Sequence, residues 1–387
     1  MEYNIPMSFF SFLKRNKESY SLVFNIGSGS VSGGIIKFTQ EVGVDVSYYI
    51  KENIPFQQEV SIPKHLDLMK EAVTALAHHI QSDGLKKINA DRKGTVLIDR
   101  AFYIFSSPWS ASQTKTIRIK EAKPIKLTEN YINKIIDDES KQFQENVALS
   151  GTVIEKKIIQ IKINGYVVSD ISNKVAQDLE ISVLFTVVPE KILQIVEQSI
   201  SKVFNIKNIW CHSLSLATLS VIRNLFPQKE DFIQIDISEE ITDISIIRNN
   251  IISSSASIPH GRNHFIRELS LAQKVTEEVA DSMIRMHFSK HRDELASLKL
   301  AVTMDAVSKL WLSKVSDVLE GLKEKAYVPD SIFLIASTDL ASFLKDKLEK
   351  QDYGVIAVDN NSLKSPLVKD DLILRLELMF LDNLYKI

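Results

Sequence analysis

The pattern of apolar and polar positions along the chain contains one motif twice. Residues 21–38 read SLVFNIGSGSVSGGIIKF and residues 231–248 read DFIQIDISEEITDISIIR. Each copy runs from an apolar strand through a short polar turn into a second β-rich strand, and each continues into an extended segment that ends in Ile-Pro. Two β-meanders, each opening one half of the chain, predict an internally duplicated fold.

Helical periodicity follows each meander. Residues 66–81 place their apolar side chains on one helix face: Leu66, Met69, Val73, Leu76, Ala77 and Ile80. In the second half, helical pattern covers residues 265–286 and 296–325. Alternating strands and helices predict an α/β protein.

A segment between the two halves has its own sequence of elements. We predict a strand at 94–105, a helix at 128–144, a hairpin of 153–163 and 165–172, a strand at 179–188 and a helix at 189–204. These elements indicate a small α+β module inserted in the first half. Further elements are a strand at 206–211, a helix at 214–225, a strand at 331–336, a helix at 340–350, an extended stretch at 354–359 and a closing helix at 370–385.

The predicted domain organisation follows from these elements. It comprises a leader at 1–20, a first subdomain at 21–93 and 205–227, an inserted α+β subdomain at 94–204, and a second half at 228–387 with a small helical subdomain at 272–325. A chain of 387 residues is too long for one ordinary core, which agrees with this division.

Composition narrows the function classes. The 47 Lys and Arg residues balance 49 Asp and Glu residues and are spread along the chain, so we expect no nucleic-acid partner. The single cysteine, Cys211, excludes an internal disulfide, and no Cys, His and carboxylate pattern completes a metal site, so we expect no structural metal. No signal peptide and no stretch of about 20 apolar residues is present, so we expect a cytoplasmic protein.

Two features are candidates for contact with a membrane or a partner. The first is an apolar and basic cluster near the start of the chain: Phe9, Phe10, Phe12, Leu13, Lys14 and Arg15. A terminus that folds back onto the domain is the alternative interpretation. The second is Trp109, in the polar run 106–116, which either contacts a partner or packs against the inserted module.

Four motifs, in order and at matching spacing, resemble those of the actin-like ATPase superfamily. They are residues 25–30 (NIGSGS), 236–243 (DISEEITD), 257–265 (SIPHGRNHF) and 332–338 (IFLIAST). With the insertion in the first half, the chain is most similar to the bacterial FtsA and PilM families. The resemblance implies a duplicated actin-like (ribonuclease H-like) α/β fold with a small α+β subdomain in the first half.

The resemblance also implies a nucleotide site. If it is retained, its residues are Asn25, Gly27, Ser28, Gly29, Ser30, Asp236, Thr242, Asp243 and Ser337, with Mg-ATP as the cofactor. Glycines let backbone N–H groups close on phosphate oxygens, and a carboxylate orders the magnesium ion.

Several positions depart from the family pattern. Asn25 stands where the family usually has Asp, and Ser238, Glu239 and Glu240 stand where it generally has glycine. A glutamate about 4 Å from a phosphate charge would repel it by about 4 kcal/mol at an effective dielectric constant near 20. Ala336, Ser337, Thr338 and Arg262 also occupy positions where the family favours glycine. We therefore expect a degenerate site with no catalytic residue, no productive ATP hydrolysis and no resident cofactor.

The function that the resemblance implies is a scaffold for an envelope machine. PilM-like proteins of type IV pilus assembly bind the cytoplasmic tail of a membrane-anchored partner in a groove beside the inserted subdomain, at the inner membrane. Residues 370–387 read as a closing helix without the membrane helix that FtsA carries, which favours this reading. The alternatives are an FtsA-like division protein that forms filaments and tethers a tubulin-like partner, and an active ATPase or sugar-kinase-like enzyme.

Overall fold

Two five-stranded mixed sheets and one four-stranded antiparallel sheet organise the chain. The structure is a computed structural model that describes residues 18–39, 43–59, 61–92, 94–146, 151–288, 294–323, 327–359, 362–363 and 371–385. The strands are β1 (Glu18–Ile26), β2 (Ser30–Thr39), β3 (Gly43–Asn53), β4 (Ile98–Phe105), β5 (Ala111–Lys126), β6 (Gly151–Ile163), β7 (Tyr166–Val168), β8 (Val175–Pro189), β9 (Asn208–Ser213), β10 (Phe232–Ile237), β11 (Thr242–Arg248), β12 (Ile251–Ile258), β13 (Ser331–Ile335) and β14 (Gly354–Val358).

The helices lie between and after these strands. They are α1 (Ile62–His79), which continues through a π-helical stretch (Ile80–Leu85) into α2 (Lys86–Arg92), then α3 (Glu129–Asn146), α4 (Glu190–Ser201), α5 (Leu214–Leu225), α6 (Arg262–Gln273), α7 (Glu277–Phe288), α8 (Glu294–Lys323), α9 (Thr338–Glu349) and α10 (Leu372–Tyr385). Within the described ranges, no helix is both long and apolar enough to cross a bilayer.

The first sheet has the strand order β3-β2-β1-β4-β9. The meander β1 to β3 is antiparallel, and β4 and β9 extend the sheet in parallel. Helices α1 and α4 pack together on one face, and all six residues of the predicted apolar stripe are buried, five in α1 and Ile80 in the π-helical stretch that follows. Burial of that stripe fixes which face of α1 meets the sheet, as the periodicity predicted.

The second sheet repeats the first, with the order β12-β11-β10-β13-β14. Asn25 of β1 pairs with Ser32 of β2, and the equivalent Asp236 of β10 pairs with Asp243 of β11. Each also has a parallel neighbour in the adjoining strand, β4 or β13. The predicted internal duplication is confirmed at the level of strand register.

The inserted subdomain is an antiparallel sheet of order β5-β8-β6-β7, with α3 packed on one face. A small α+β insertion in the first half is therefore confirmed, but its bounds differ from the predicted 94–204. Strand β4 lies between β1 and β9 in the first sheet, and α4 buries its apolar face in the core of the first half. Sheet pairing thus assigns residues 111–189 to the insertion.

Strand β5 is a second correction. From sequence, residues 106–116 stand out only as a polar run, and no strand is predicted there. Instead, residues 111–126 pair with β8, with an irregularity between Lys120 and Ile125. The side chains of β5 are mostly exposed and show little apolar alternation, so the sequence pattern does not indicate a strand. The strand is defined by its main-chain hydrogen bonds to β8.

The two halves meet through a shared core. Helices α5 and α10 pack against each other, and α10 also contacts β3 of the first half. Aromatic residues of both halves join the same core, among them Phe102, Phe232, Phe333 and Phe380. The closing helix of the second half therefore brings side chains to the first half.

Candidate functional site

The turns that follow β1 and β10 face each other across a cleft with a cavity of about 220 Å³. Five residues predicted for a nucleotide site line it: Asn25, Gly27, Ser30, Asp236 and Ser337. We call residues 27–29 loop 1 and residues 238–241 loop 2. The structure therefore brings the two copies of the duplicated motif to one cavity.

Loops 1 and 2 are hydrogen-bonded to each other. Ser28 Oγ lies 3.0 Å from Ser238 Oγ and accepts a hydrogen bond of 3.0 Å from the backbone N–H of Glu240. Ser30 Oγ donates to Glu239 Oε1 at 3.0 Å, and Lys51 Nζ lies 3.5 Å from the same oxygen. Polar groups of the first half are thus satisfied by loop 2.

Gly29 is in direct contact with the Glu239 side chain. A Cβ added at Gly29 would fall on the Cβ and Cγ atoms of Glu239. The glycine is required here by a close approach of the other loop. In a phosphate loop the same lack of a side chain would make room for an oxyanion.

Loop 2 is also anchored to the start of α6. The backbone N–H groups of Arg262 and Asn263 donate to the carbonyls of Ser238 and Glu239, at 2.9 and 2.7 Å. The Glu240 carboxylate accepts from Arg267 Nη2 at 2.7 Å, while Arg267 Nε donates to the carbonyl of Gln57 in the first half. The first N–H groups of α6 are therefore already paired.

Arg262 joins two helices on the other side of the cleft. Its guanidinium forms ion pairs of 2.6 Å with Asp281 of α7 and with Asp339 of α9. Burial would raise the pKa of Asp339, but the hydrogen bond and charge of Arg262 outweigh it and lower that pKa. Arg262 therefore bridges α7 and α9 at the border of the cleft.

Two buried carboxyl groups border the cleft. Burial, with the nearby charges of Asp243 and Glu239, raises the pKa of Asp236 to about 8. Burial likewise raises the pKa of Glu377 to about 8, although that carboxyl accepts a hydrogen bond from Asn25 Nδ2. Asp236 Oδ1 has no hydrogen-bond partner among the described residues. Both groups are mainly protonated at neutral pH, and a neutral carboxyl is a poor ligand for magnesium.

In this arrangement the cleft leaves little room for Mg-ATP. The cavity is smaller than the roughly 300 Å³ at which sites for drug-sized ligands begin, and the side chains of Glu239 and Arg262 border it with partners already in place. Across the described ranges, no group of three or more His, Cys, Asp or Glu residues is arranged to hold a metal ion.

The remaining predicted nucleotide residues lie elsewhere. Thr242 Oγ1 donates to the His260 carbonyl at 2.7 Å and accepts from Trp311 Nε1 at 3.1 Å, which ties β11 to α8. Asp243 accepts a hydrogen bond of 2.5 Å from Ser257 and borders a second cavity. The motif predicted that Thr242 and Asp243 would line the cleft, but neither residue does.

The second cavity is a groove of about 580 Å³ between the insertion and β12. Its walls are the turn before β5, the first residues of β5, and β12. Nine serines line it: Ser107, Ser110, Ser112, Ser215, Ser245, Ser253, Ser254, Ser255 and Ser257. Within the described part of the chain, β5 pairs only with β8 and β12 only with β11, and these two sheet edges face each other across the groove and touch where Ser255 Oγ donates to the Ser112 carbonyl.

Trp109 lies in the wall between cleft and groove. It is 4% exposed, its Nε1 donates to the Gly27 carbonyl at 2.6 Å, and its ring stacks on His65 with centroids 5.2 Å apart. Of the two alternatives for Trp109, burial favours packing over an exposed contact, but the indole packs against loop 1 and His65 of α1 instead of a helix of the inserted module. The other candidate contacts, Phe9, Phe10, Phe12, Leu13, Lys14 and Arg15, lie outside the described residues.

No protein-family model matches the chain, and no curated protein matches it in sequence. A solved structure of a PilM-PilN type IV pilus biogenesis complex is similar, with a TM-score of 0.59 and 10% identity over 94% of this chain and 98% of that chain. The chain has an actin-like fold.

Two other solved structures have lower scores. One is a Bacteroides thetaiotaomicron protein with an actin-like ATPase fold and unknown function, with a TM-score of 0.43 and 10% identity over 94% of this chain and 96% of that chain. The other is MreB 5 of Spiroplasma citri bound to AMPPNP, with a TM-score of 0.47 and 11% identity over 95% and 97%. At these identities the likeness concerns the fold alone.

Several residues of the cleft were missed from sequence. Lys51, Arg267 and Asp371 contact loop 2 or line the cavity, and Glu377 accepts a hydrogen bond from Asn25. Asn25 and Glu377 are 352 positions apart. Charged residues in otherwise apolar helical pattern, such as Glu377 in α10, were the one available signal.

Proposed function

We propose that this chain is an actin-like scaffold of a bacterial envelope machine that binds the extended cytoplasmic tail of a membrane-anchored partner in the groove. The groove, with an open strand edge on each side, is the observation that carries the proposal. A role of the PilM kind in type IV pilus assembly, at the cytoplasmic face of the inner membrane and without productive ATP hydrolysis, accords with it.

The open edges suit an extended peptide. An edge strand presents unpaired N–H and C=O groups, and an added strand satisfies them by main-chain hydrogen bonds. Ser255 Oγ of β12 lies 3.4 Å from the Ser112 carbonyl of β5, so the two edges approach each other at this point. The volume of the groove lies within the range of ligand sites, about 300 to 1,000 Å³.

Charge also favours such a tail. Asp243 is the one charged side chain among the described residues that line the groove. Burial raises the pKa of that carboxyl, so a cationic group beside it would regain favourable charge pairing. Segments next to membrane helices on the cytoplasmic side are enriched in Lys and Arg. A basic tail therefore complements the groove better than an acidic one.

The two alternatives, an FtsA-like protein and an active enzyme, depend on features for which the described residues give less support. An FtsA-like role at the membrane would depend on the leader, which lies outside the described residues. An active ATPase or sugar-kinase-like enzyme would require Glu239 and Arg262 to leave their present partners.

Site-directed photo-crosslinking tests the proposal. A photo-crosslinking residue at Ser255 in the full chain, in cells that make the protein, is expected to capture the tail of one membrane protein. A synthetic peptide of that tail should bind the purified chain, and Ser255→Trp should weaken its binding at least about tenfold by filling the groove.

The matched control is Ser313→Trp, because Ser313 is also exposed but lies on α8 outside the groove. It should leave the affinity for the peptide unchanged. Equal loss in both variants, or a captured tail whose peptide binds Ser255→Trp as tightly as the wild type, would contradict the assignment of the groove.

A further inference from the structure

Glu239 occupies the cleft in the way that a bound anion would. One of its carboxylate oxygens accepts from Ser30 and faces the ammonium group of Lys51, and its aliphatic carbons rest on Gly29. A hydroxyl, a cation and an exposed glycine backbone are the groups that hold a phosphate oxyanion. Here all three belong to the first half, and the anion belongs to the second.

We propose that Glu239 is a built-in anion that replaces a phosphate group in the cleft and holds the two halves of the molecule together without a ligand. The negative charge that seemed to count against a phosphate is thus the charge that the first half binds. It follows that removing the Glu239 side chain exposes a latent site for inorganic phosphate.

The surrounding contacts support this assignment. Loop 2 cannot easily withdraw Glu239, because the preceding and following residues are tied to Ser28 and the carbonyls of loop 2 accept from the first N–H groups of α6. Glu240 has a different role, since its carboxylate pairs with Arg267. The two neighbouring glutamates carry the same charge, but the carboxylate of Glu239 contacts the first half and the carboxylate of Glu240 contacts the second half.

The size of the effect follows from exposure. The Glu239 and Lys51 side chains are 31% and 42% exposed, so the ion pair alone contributes little. The hydroxyl contact and the packing on Gly29 carry more of the interaction. A phosphate ion in the same place would meet the same groups but would lose translational freedom on binding, so we expect a modest affinity.

Glu239→Gly in the full chain is the direct test, with inorganic phosphate as the probe. At a phosphate concentration of about ten times its dissociation constant, the melting temperature of Glu239→Gly should rise by about 1 to 2 °C or more. The wild type should show no rise under the same conditions, with sodium chloride at equal ionic strength as the reference for both.

A packing experiment tests the same contact without phosphate. Gly29→Ala should lower the urea midpoint of the wild type, because the new Cβ would fall on Glu239. In the Glu239→Gly background the same change should have little effect. Glu239→Ser serves as a second, less drastic background, so that poor folding of one variant leaves the comparison intact.

The phosphate and packing experiments have distinct supporting and contradicting outcomes. A phosphate response gained only in the Glu239 variants, together with relief of the Gly29→Ala defect, supports the proposal. Equal responses of wild type and variants to phosphate, whether present or absent, would overturn it, as would a Gly29→Ala defect that persists without Glu239. Neither result depends on the tail or on its groove.

Discussion

The cleft and the groove lie beside the same meander of the fold, but the cleft is closed by contacts within the chain and the groove is wider. Both lie beside the meander of the second half, and the paired residues Asp236 and Asp243 border the cleft and the groove respectively. The cleft is crossed by hydrogen bonds and ion pairs of the chain itself. The groove is wider and has open strand edges on two sides.

This difference shows how an actin-like architecture can change its binding surface without changing its sheets. The strand register around Asn25 and Asp236 follows the duplicated pattern, but loop side chains fill the space between them. If the chain is the scaffold that we propose, such closure would let its two halves keep one arrangement without a ligand. The edges of β5 and β12 that face the groove have no further strand paired to them among the described residues, and this is where we propose that a partner binds.

The largest predicted effect on stability comes from a buried residue of the insertion, on the groove side of the molecule. Glu155 of the insertion is buried and accepts hydrogen bonds from Thr186, from Ser213 and from His212 Nδ1, at 2.8 to 3.2 Å. Glu155→Ala leaves these groups unpaired and should lower the free energy of unfolding by about 3 to 5 kcal/mol. Urea unfolding checks this value.

Glu155→Gln is the control for that change, because it keeps the volume and an acceptor oxygen and should cost less. Since the network joins the insertion to β9, tail binding should weaken in Glu155→Ala while the contacts between loops 1 and 2 persist. A stability change below about 1 kcal/mol would argue against a structural role for this network.

The second prediction concerns pH and the cleft alone. The folded-state pKa of Asp236 is about 8, above its ordinary value of 3.8, so the folded protein binds more protons between these values. The stability that this group contributes is fully present below about pH 4 and is lost as pH rises through 8. The expected slope is about −1.4 kcal/mol per pH unit within that window.

Asp236→Asn should remove this part of the slope. The measurement is the urea midpoint of wild type and variant from pH 5 to pH 8, and their difference isolates Asp236 from other titrating groups. Parallel pH profiles for the two proteins would show that Asp236 is ionised in the folded state at neutral pH.

The smallest predicted effect lies in the wall that the cleft and the groove share. Trp109→Phe keeps an aromatic ring but removes the donor to the Gly27 carbonyl, which should cost about 1 to 3 kcal/mol. Amide hydrogen exchange should then increase in loop 1. Unchanged exchange there would show that Trp109 packs beside loop 1 without holding it.

Much of the architecture could be predicted from local pattern. The two meanders and α1 carry regular apolar spacing, because each buries one face against a core. Strand β5 was missed since its side chains are mostly exposed and only its pairing with β8 makes it a strand. Helix α4 was assigned to the insertion because adjacency in sequence does not reveal which core a helix joins.

The candidate site was predictable only in part. Equivalent positions in the two motifs correctly placed Asn25 and Asp236 at one cavity. The partners of Glu239 could not be foreseen, because Ser30 and Lys51 lie about 200 positions away and their approach depends on how the two halves pack. For the same reason, the groove could not be predicted, because it is formed by β5 and β12, which are distant in the sequence.

Hydrogen exchange of the full chain, alone, with millimolar Mg-ATP, and with the captured tail peptide, tests the central claim most directly. The account predicts protection of residues 111–116 and 251–257 by the peptide, and no protection of residues 25–30 or 236–241 by Mg-ATP. Protection of those two loops by Mg-ATP, without any change in the groove on adding the peptide, would contradict it.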